Sequence, residues 1–348
     1  MIGKISRRAK PGTNLSDVAR LAGVSSMTVS RVINKEPGVK VLTRERVLAA
    51  ITSLDYVPNA AARSLAGAGP LRIVLLYSNP SAAYLSEFLL GSLKQASLSD
   101  AQLIVEQCDP AMALHQIAAR LENRGVDGVI LPAPLCDDPR LIRLIEGLGL
   151  PTVVVATGAP PPGVHSVTID DCDAARGMTA RLIAAGHRRI GFIRGDTNQT
   201  SSAKRFEGYV DALAAAGLQV EASLTAEGDF TYRSGLAAAQ ALLSRSPRPT
   251  AIFASNDDMA AAAMAVAHRM GLAIPADLSI CGFDDTVLAT AVWPTLTTVR
   301  QPISDMAQCA VDILVESVRC ARAGEMFGPQ HRLLDYRIIE RDSDAPTG

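Results

Sequence analysis

The 348-residue sequence predicts an all-α helix-turn-helix headpiece followed by an α/β core of two doubly wound parallel-sheet lobes. Three observations lead there. Residues 14–56 carry helical periodicities and no strand-like run. From Leu71 onward, short continuous apolar runs alternate with amphipathic stretches, the pattern of strands buried on both faces by covering helices. Seven such runs suit two sheets better than one.

Asn14 to Asn34 (N-L-S-D-V-A-R-L-A-G-V-S-S-M-T-V-S-R-V-I-N) describe two short helices joined by a tight turn. In the first, Val18, Leu21 and Ala22 share a face at i, i+3, i+4 spacing. Gly23 ends it, because glycine takes the left-handed conformation without a Cβ penalty. Ser25 stands where an N-cap hydroxyl is wanted. In the second helix Val29, Val32 and Ile33 face inward, leaving Ser26, Met27, Ser30 and Arg31 outside with Thr28 beside them. Small hydroxyls and an arginine at the outer, N-terminal end of a helix suit a DNA major groove. Taken alone, the pair equally fits a helical hairpin with a polar surface. Thr43 to Tyr56 forms a third helix, with Thr43 as N-cap and Val47, Leu48, Ile51 and Leu54 as its buried stripe. Residues 14–57 thus close as one headpiece. In Val57 to Gly67 (V-P-N-A-A-A-R-S-L-A-G), Pro58 and the alanines favour a helix. So short a helix is marginal in water, so 58–69 reads as a hinge helix and linker that orders only when something packs against it.

The core is expected over 70–341, with 342–348 as a tail. Its strand-like runs are Arg72–Tyr77, Leu103–Glu106, Gly128–Leu131, Thr152–Ala156, Ile190–Ile193, Ala251–Ala254 and Ser279–Phe283. Helical patterns between them include Glu87–Leu98, Ala111–Arg124, Ala174–Ala185, Ala203–Ala216, Ser234–Leu243 and Asp258–Met270. In such sheets a ligand lies outside the carboxyl ends of the strands.

Residues 1–69 hold eleven Lys/Arg against four Asp/Glu, a net +7, while the remainder holds 23 against 31, a net −8. A basic head on an acidic body is the electrostatic footprint of phosphate binding. Lys4, Arg7, Arg8 and Lys10 make residues 1–13 a basic N-terminal arm. No apolar run approaches the ~18 residues of a membrane span, and the N-terminus has no apolar signal core. Six scattered cysteines without C-x-x-C or paired histidines read as reduced thiols of a cytoplasmic protein, with no metal site and no cofactor.

The motifs D-V-A-R-L-A-G-V-S, T-V-S-R-V-I-N, T-R-E-R-V and P-N-A-A-A-R-S-L, in this order, resemble the LacI/GalR family of transcription regulators. The similarity runs from about Asn14 to about Arg341. The resemblance implies a periplasmic-binding-protein-like core, a double-stranded DNA operator and a small-molecule effector. By family correspondence Ser26, Met27 and Arg31 read base edges, while Ser25, Thr28, Ser30 and Asn34 lie near phosphates. Asn59 to Ala66 matches the hinge helix, where Asn59 and Ala62 belong to the DNA-facing segment and Leu65 is the minor-groove wedge. Met27 cannot hydrogen-bond, so it suits a thymine methyl; Arg31 suits guanine or phosphate.

Polar groups stand where the core strands end: Asn79, with Tyr84 and Leu85 beyond it, then Asn198 to Arg205, Asn256 to Asp258, and Asp284 with Asp285. Sugar hydroxyls need donors and acceptors, with an aromatic beneath the apolar sugar face. By family correspondence Arg205, Asp257 and Asp284 make the chief effector contacts, with Asn79, Tyr84, Leu85, Gln199 and Asn256 beside them. Competing structural roles are a helix cap for Asp257, a turn for Asp284 and a solvated charge for Arg205. Trp293 either stands at the pocket mouth or packs between the lobes. Family members often carry a polar residue where this chain has Ala156; Thr157 is the candidate to compensate.

No Ser/His/Asp set, H-E-x-x-H or P-loop is present and the five histidines are isolated, so no enzyme is expected. The expected function is a homodimeric repressor of carbohydrate-utilisation genes, bound to a near-palindromic operator and released by a sugar. The alternatives are a purine- or other metabolite-responsive corepressor-type regulator and a sugar-binding transport protein.

Overall fold

The computed structural model describes residues 14–33, 38–54, 56, 70–109 and 112–347. It comprises two compact units, Met1–Pro70 and Leu71–Gly348. The basic arm 1–13 and the whole of the hinge 58–69, with Asn59, Ala62 and Leu65, lie outside the described residues, as does Asn34.

In the first unit, helices α1 (Leu15–Ala22), α2 (Ser26–Ile33) and α3 (Val41–Ser53) close on Val18, Ala19, Ala22, Val29, Val32, Val47, Ala50 and Tyr56. Asn14 and Asp17 form a reciprocal capping box at the start of α1, and Gly23 ends it at φ +64°. Ser25 Oγ accepts the Thr28 backbone N–H at 3.2 Å, capping α2. Three expectations change. Leu21 is 54% exposed and Ala19 is buried instead, so the inward face of α1 is Val18, Ala19 and Ala22 at i, i+1, i+4. Leu48 is likewise exposed, and Ala50 packs instead. The third helix starts two residues early at Val41, with Lys40 as N-cap and no side-chain cap bond, so Thr43 lies inside its first turn.

The second unit carries two six-stranded sheets. The first takes β1 (Leu71–Tyr77), β2 (Ala101–Gln107), β3 (Gly128–Pro132), β4 (Thr152–Val155), β5 (His165–Thr168) and β11 (His331–Leu333), in the order β11-β5-β4-β3-β1-β2. The second takes β6 (Ile190–Ile193), β7 (Thr225–Ala226), β8 (Ala251–Ala254), β9 (Ser279–Asp284), β10 (Thr297–Arg300) and β12 (Arg337–Ile339), in the order β12-β10-β9-β8-β6-β7. All pairings are parallel except β10 with β12. The seven expected strands form within two residues of their expected ends. β5, β7, β10, β11 and β12 are additional: two to four residues each, with His, Thr or Arg among them, they lack the apolar run that marks a buried strand.

The chain crosses between lobes three times, after β5, after β10 and between β11 and β12. Helix Ile303–Ala323 returns after the second crossing to pack on helix Ala82–Leu98 of the first lobe. In the second lobe, helix Thr200–Ala215 packs on helix Asp171–Ala184. Gly208 makes that contact: a Cβ there would stand 2.1 Å from the Cys172 carbonyl oxygen. The close approach brings Arg205, one turn earlier, within reach of Asp171.

The segment beyond Arg341 is sewn into the second lobe. Ser343 Oγ accepts the Thr297 N–H at 2.8 Å, Asp344 pairs with Arg181, and the Ala345 carbonyl accepts from buried His187.

Candidate functional site

On the headpiece, Val29 and Val32 turn inward, leaving Arg31 exposed, Met27 68% exposed, and Ser26 and Ser30 half-buried. Thr28 is held by Ser25 through the cap and through its own hydroxyl at 2.9 Å. The outer face of α2 is thus polar around one large apolar side chain, a combination matched by base edges that include a thymine methyl.

In the second unit, a cleft opens at the carboxyl ends of the strands. Asn79, Pro80, Ser81, Tyr84, Ala133 and Ala156 line it from the first lobe. Gln199, Ser201, Arg205, Phe230, Asn256 and Asp284 line it from the second, and Gln301 from a crossing segment. Of the expected effector residues the cleft gathers Asn79, Tyr84, Gln199, Arg205, Asn256 and Asp284, and it leaves out three.

Asp257 is fully buried behind it. Its carboxylate accepts from Thr286 N at 2.8 Å and from Thr298 Oγ1 at 2.7 Å, while the helix cap belongs to Asn256. Burial and the neighbouring Asp284 push its pKa well up. Leu85 lies one residue past Tyr84 and turns away from the cleft lining. Trp293 is 80% exposed, so it neither lines the pocket nor packs between the lobes.

Arg205 is buried at 4% exposure, which removes the solvated-charge reading. Its Nε donates to Asp171 at 2.8 Å and its Nη1 to the Ser255 carbonyl at 2.5 Å, with Asp284 at 3.7 Å. The guanidinium lies 3.7 Å from the centre of the Phe283 ring. Among the described residues nothing accepts from Nη2. Asp284 stands at φ +113° and accepts from Gln301 Nε2 at 2.5 Å. Burial pushes its pKa up to about 7 against the downward pull of Arg205. Burial also keeps Asp171 above the usual carboxylate range despite its ion pair.

Asn79 and Asn256 are engaged structurally. Asn79 accepts from Ser81 N and donates to the Ala133 carbonyl. Asn256 accepts from Met259 N and donates to the Phe230 carbonyl. By contrast the Tyr84 hydroxyl and Gln301 Oε1 are buried without any partner among the described residues. Phe230 supplies the aromatic wall at φ +65°, its ring seated where a Cβ on Gly195 would come within 2.0 Å. Ala156 takes φ +63° at the cleft floor, and Thr157 does not replace a polar group there, because its hydroxyl donates to Asp137 at 2.7 Å. Ser201 falls within the polar segment Asn198 to Arg205, whereas Phe230 and Gln301 lie outside every segment the sequence singles out. Gln301 is findable as the polar residue directly after β10; Phe230 has no local signal.

Residues 14–59 match the model described as bacterial regulatory proteins, lacI family, and residues 179–343 match a periplasmic binding protein-like domain. The chain is 35% identical to the HTH-type transcriptional regulator CelR of Thermobifida fusca, over 97% of this chain and all of CelR. A solved CelR–cellobiose complex superposes with a TM-score of 0.73 at 33% identity, covering 95% of this chain and 99% of that one. The Lac repressor dimer bound to operator and the anti-inducer ONPF gives 0.77 at 29% identity, covering 96% and 99%. The described residues contain no helix long and apolar enough to cross a membrane. The chain belongs to the LacI family of bacterial regulatory proteins.

Proposed function

We propose that this regulator is a homodimeric repressor of carbohydrate-utilisation genes, acting in the cytoplasm on a near-palindromic operator and released by a sugar held between the core lobes. One observation carries the choice of ligand. Among the cleft groups, Gln301 Oε1 (an acceptor) and the Tyr84 hydroxyl (either role) are buried without a partner among the described residues, and Arg205 offers Nη2 as a donor beyond the bonds of its Nε and Nη1. Sugar hydroxyls both donate and accept, so a neutral polyol satisfies all three at once. Phe230 offers a ring for the apolar sugar face. CelR binds cellobiose, which makes cellobiose the first ligand to try here. The operator-bound dimer of the Lac repressor is the precedent for two headpieces reading two half-sites.

In this reading Ser25, Ser26, Met27, Thr28, Ser30, Arg31 and Asn34 meet the DNA, and the hinge residues Asn59, Ala62 and Leu65 bend it. The sugar releases the operator only as far as it favours one lobe arrangement over another, a coupling of about 1–3 kcal/mol in typical cases. Thermal unfolding against mono- and disaccharides and purines tests the ligand class. Ligand at about a hundred times Kd adds roughly 2.7 kcal/mol of stability. Stabilisation by a sugar together with loss of operator binding is expected. A shift with purines alone replaces induction by corepression.

A further inference from the structure

We propose that Asp137 is a positioning residue of the effector cleft: from the first lobe it caps the second-lobe helix that carries Arg205. Helix Thr200–Ala215 has Gln199 at its N-cap position, and Gln199 makes no side-chain cap bond. The bond comes from across the lobe boundary. Asp137, in the turn after β3, accepts the Thr200 backbone N–H at 2.9 Å through Oδ2. Its Oδ1 accepts the Thr200 hydroxyl at 2.8 Å and the Thr157 hydroxyl at 2.7 Å. Thr200 Oγ1 in turn accepts the Gly158 backbone N–H at 2.7 Å. The approach is so close that a Cβ on Gly158 would stand 2.7 Å from the Thr200 carbonyl oxygen.

Neighbouring core helices are capped from within their own lobe: Ser81, Asp138, Asp170, Thr231 and Asn256 each bond to their own first turn. At Thr200 the cap exists only while the lobes are together. A carboxylate there satisfies an orphan N–H and complements the positive end of the helix dipole. It also frees Gln199 to line the cleft, with Arg205 a turn and a half further along the same helix. Parting the lobes strips the helix of its cap, so Asp137 raises the population of the arrangement in which both cleft walls face one ligand. A larger competent population means a proportionately tighter apparent affinity.

The test is hydrogen–deuterium exchange on the full-length protein without ligand, followed by cellobiose titration. In Asp137→Ala, exchange across the first turn of helix Thr200–Ala215 is expected to quicken about tenfold or more. The first turn of helix Asp257–Arg269, which keeps its own Asn256 cap, is expected to stay unchanged, and Asp137→Asn, whose amide oxygen still accepts, to stay near wild type. Gly158→Ala, which forces the lobes apart without touching Asp137, should reproduce the quickened exchange should Asp137→Ala fold poorly. Unchanged exchange at 200–203 in Asp137→Ala, or in Gly158→Ala where that variant alone folds, overturns the proposal. The effect on affinity rests on the cleft being the effector site: a several-fold higher cellobiose Kd in Asp137→Ala is expected. Quickened exchange with no cellobiose binding in any variant, wild type included, upholds the cap and removes cellobiose as the ligand.

Discussion

The outer face of α2 and the cleft between the lobes are both polar surfaces, yet they arise in opposite ways. On α2 the packing residues are Val29 and Val32, and Met27 and Arg31 are left exposed on the outer face. In the cleft the polar side chains are themselves buried: Tyr84, Arg205 and Asp284 are each 5% exposed or less. Their atoms are largely committed to one another, and a ligand meets only what that network leaves unused. A change on α2 should therefore alter binding and spare the fold. A change in the cleft should cost both, except at an atom the network has not used.

Removing Arg205 tests the second half of that contrast with the largest effect. Arg205→Ala strands the Asp171 and Asp284 carboxyls in a buried site, and breaking such a pair costs about 3–5 kcal/mol. Chemical denaturation is expected to show that loss, and effector binding should vanish with it. A variant as stable as wild type would mean that the two carboxyls protonate at little cost, and the cleft would then be as forgiving as the surface. Arg31→Ala is the matched experiment on α2. Specific operator binding should weaken by roughly 1–3 kcal/mol if the guanidinium meets a base edge, while surface substitutions usually move stability by less than about 0.5 kcal/mol. Equal weakening on random DNA would reassign Arg31 to phosphate.

The same contrast decides what is legible in the chain alone. Periodicity separates inside from outside on a helix, so residue spacing by itself puts Met27 and Arg31 on the outer face of α2. It fails at Leu21 and Leu48, which stand exposed while the neighbouring Ala19 and Ala50 are buried, because apolar spacing alone does not fix which edge of the stripe meets the other helices. The seven apolar strand runs are legible because burial on both faces writes itself into composition; β10, whose Thr297 and Thr298 are buried in hydrogen bonds to Asp344 and Asp257, is not. Arg205 and Asp284 stand out as charges at strand ends. Nothing local distinguishes Asp257, whose acceptors are filled by Thr286 and Thr298, from Asp284, whose environment leaves it facing the cleft. Which polar atoms are spent is a property of contacts between residues far apart in sequence.

Asp284 ties ligand affinity to pH. Burial raises its pKa to about 7, so in the free protein it changes from protonated to ionised near neutrality. If a sugar hydroxyl donates to the ionised carboxylate, binding should strengthen as pH rises from 6 to 8, by up to about tenfold. Asp284→Asn should flatten that profile. Stability responds with the opposite sign. Between an unfolded pKa near 4 and the folded value of about 7, the folded state holds the extra proton, so this group's contribution to stability falls as pH rises through that window. Affinity and stability moving in the same direction with pH would show that the ligand takes the protonated acid as its donor.

Tyr84→Phe makes the smallest change and isolates the unused atom most cleanly. The hydroxyl is buried without a partner, so its removal takes away a desolvation cost while the ring keeps its stacking on Phe88 at 6.3 Å. Stability should hold or rise slightly, because deleting an unpaired buried polar group gives up no hydrogen bond. Effector affinity should fall by about 1 kcal/mol, the usual worth of one hydrogen bond to a neutral partner. That split separates Tyr84 from Asn79, Arg205, Asn256 and Asp284, whose side chains also support the fold. Stability and affinity falling together would mean that the hydroxyl is bonded in solution, by water or by a shifted Gln301, and that the cleft presents one fewer open site than its geometry indicates.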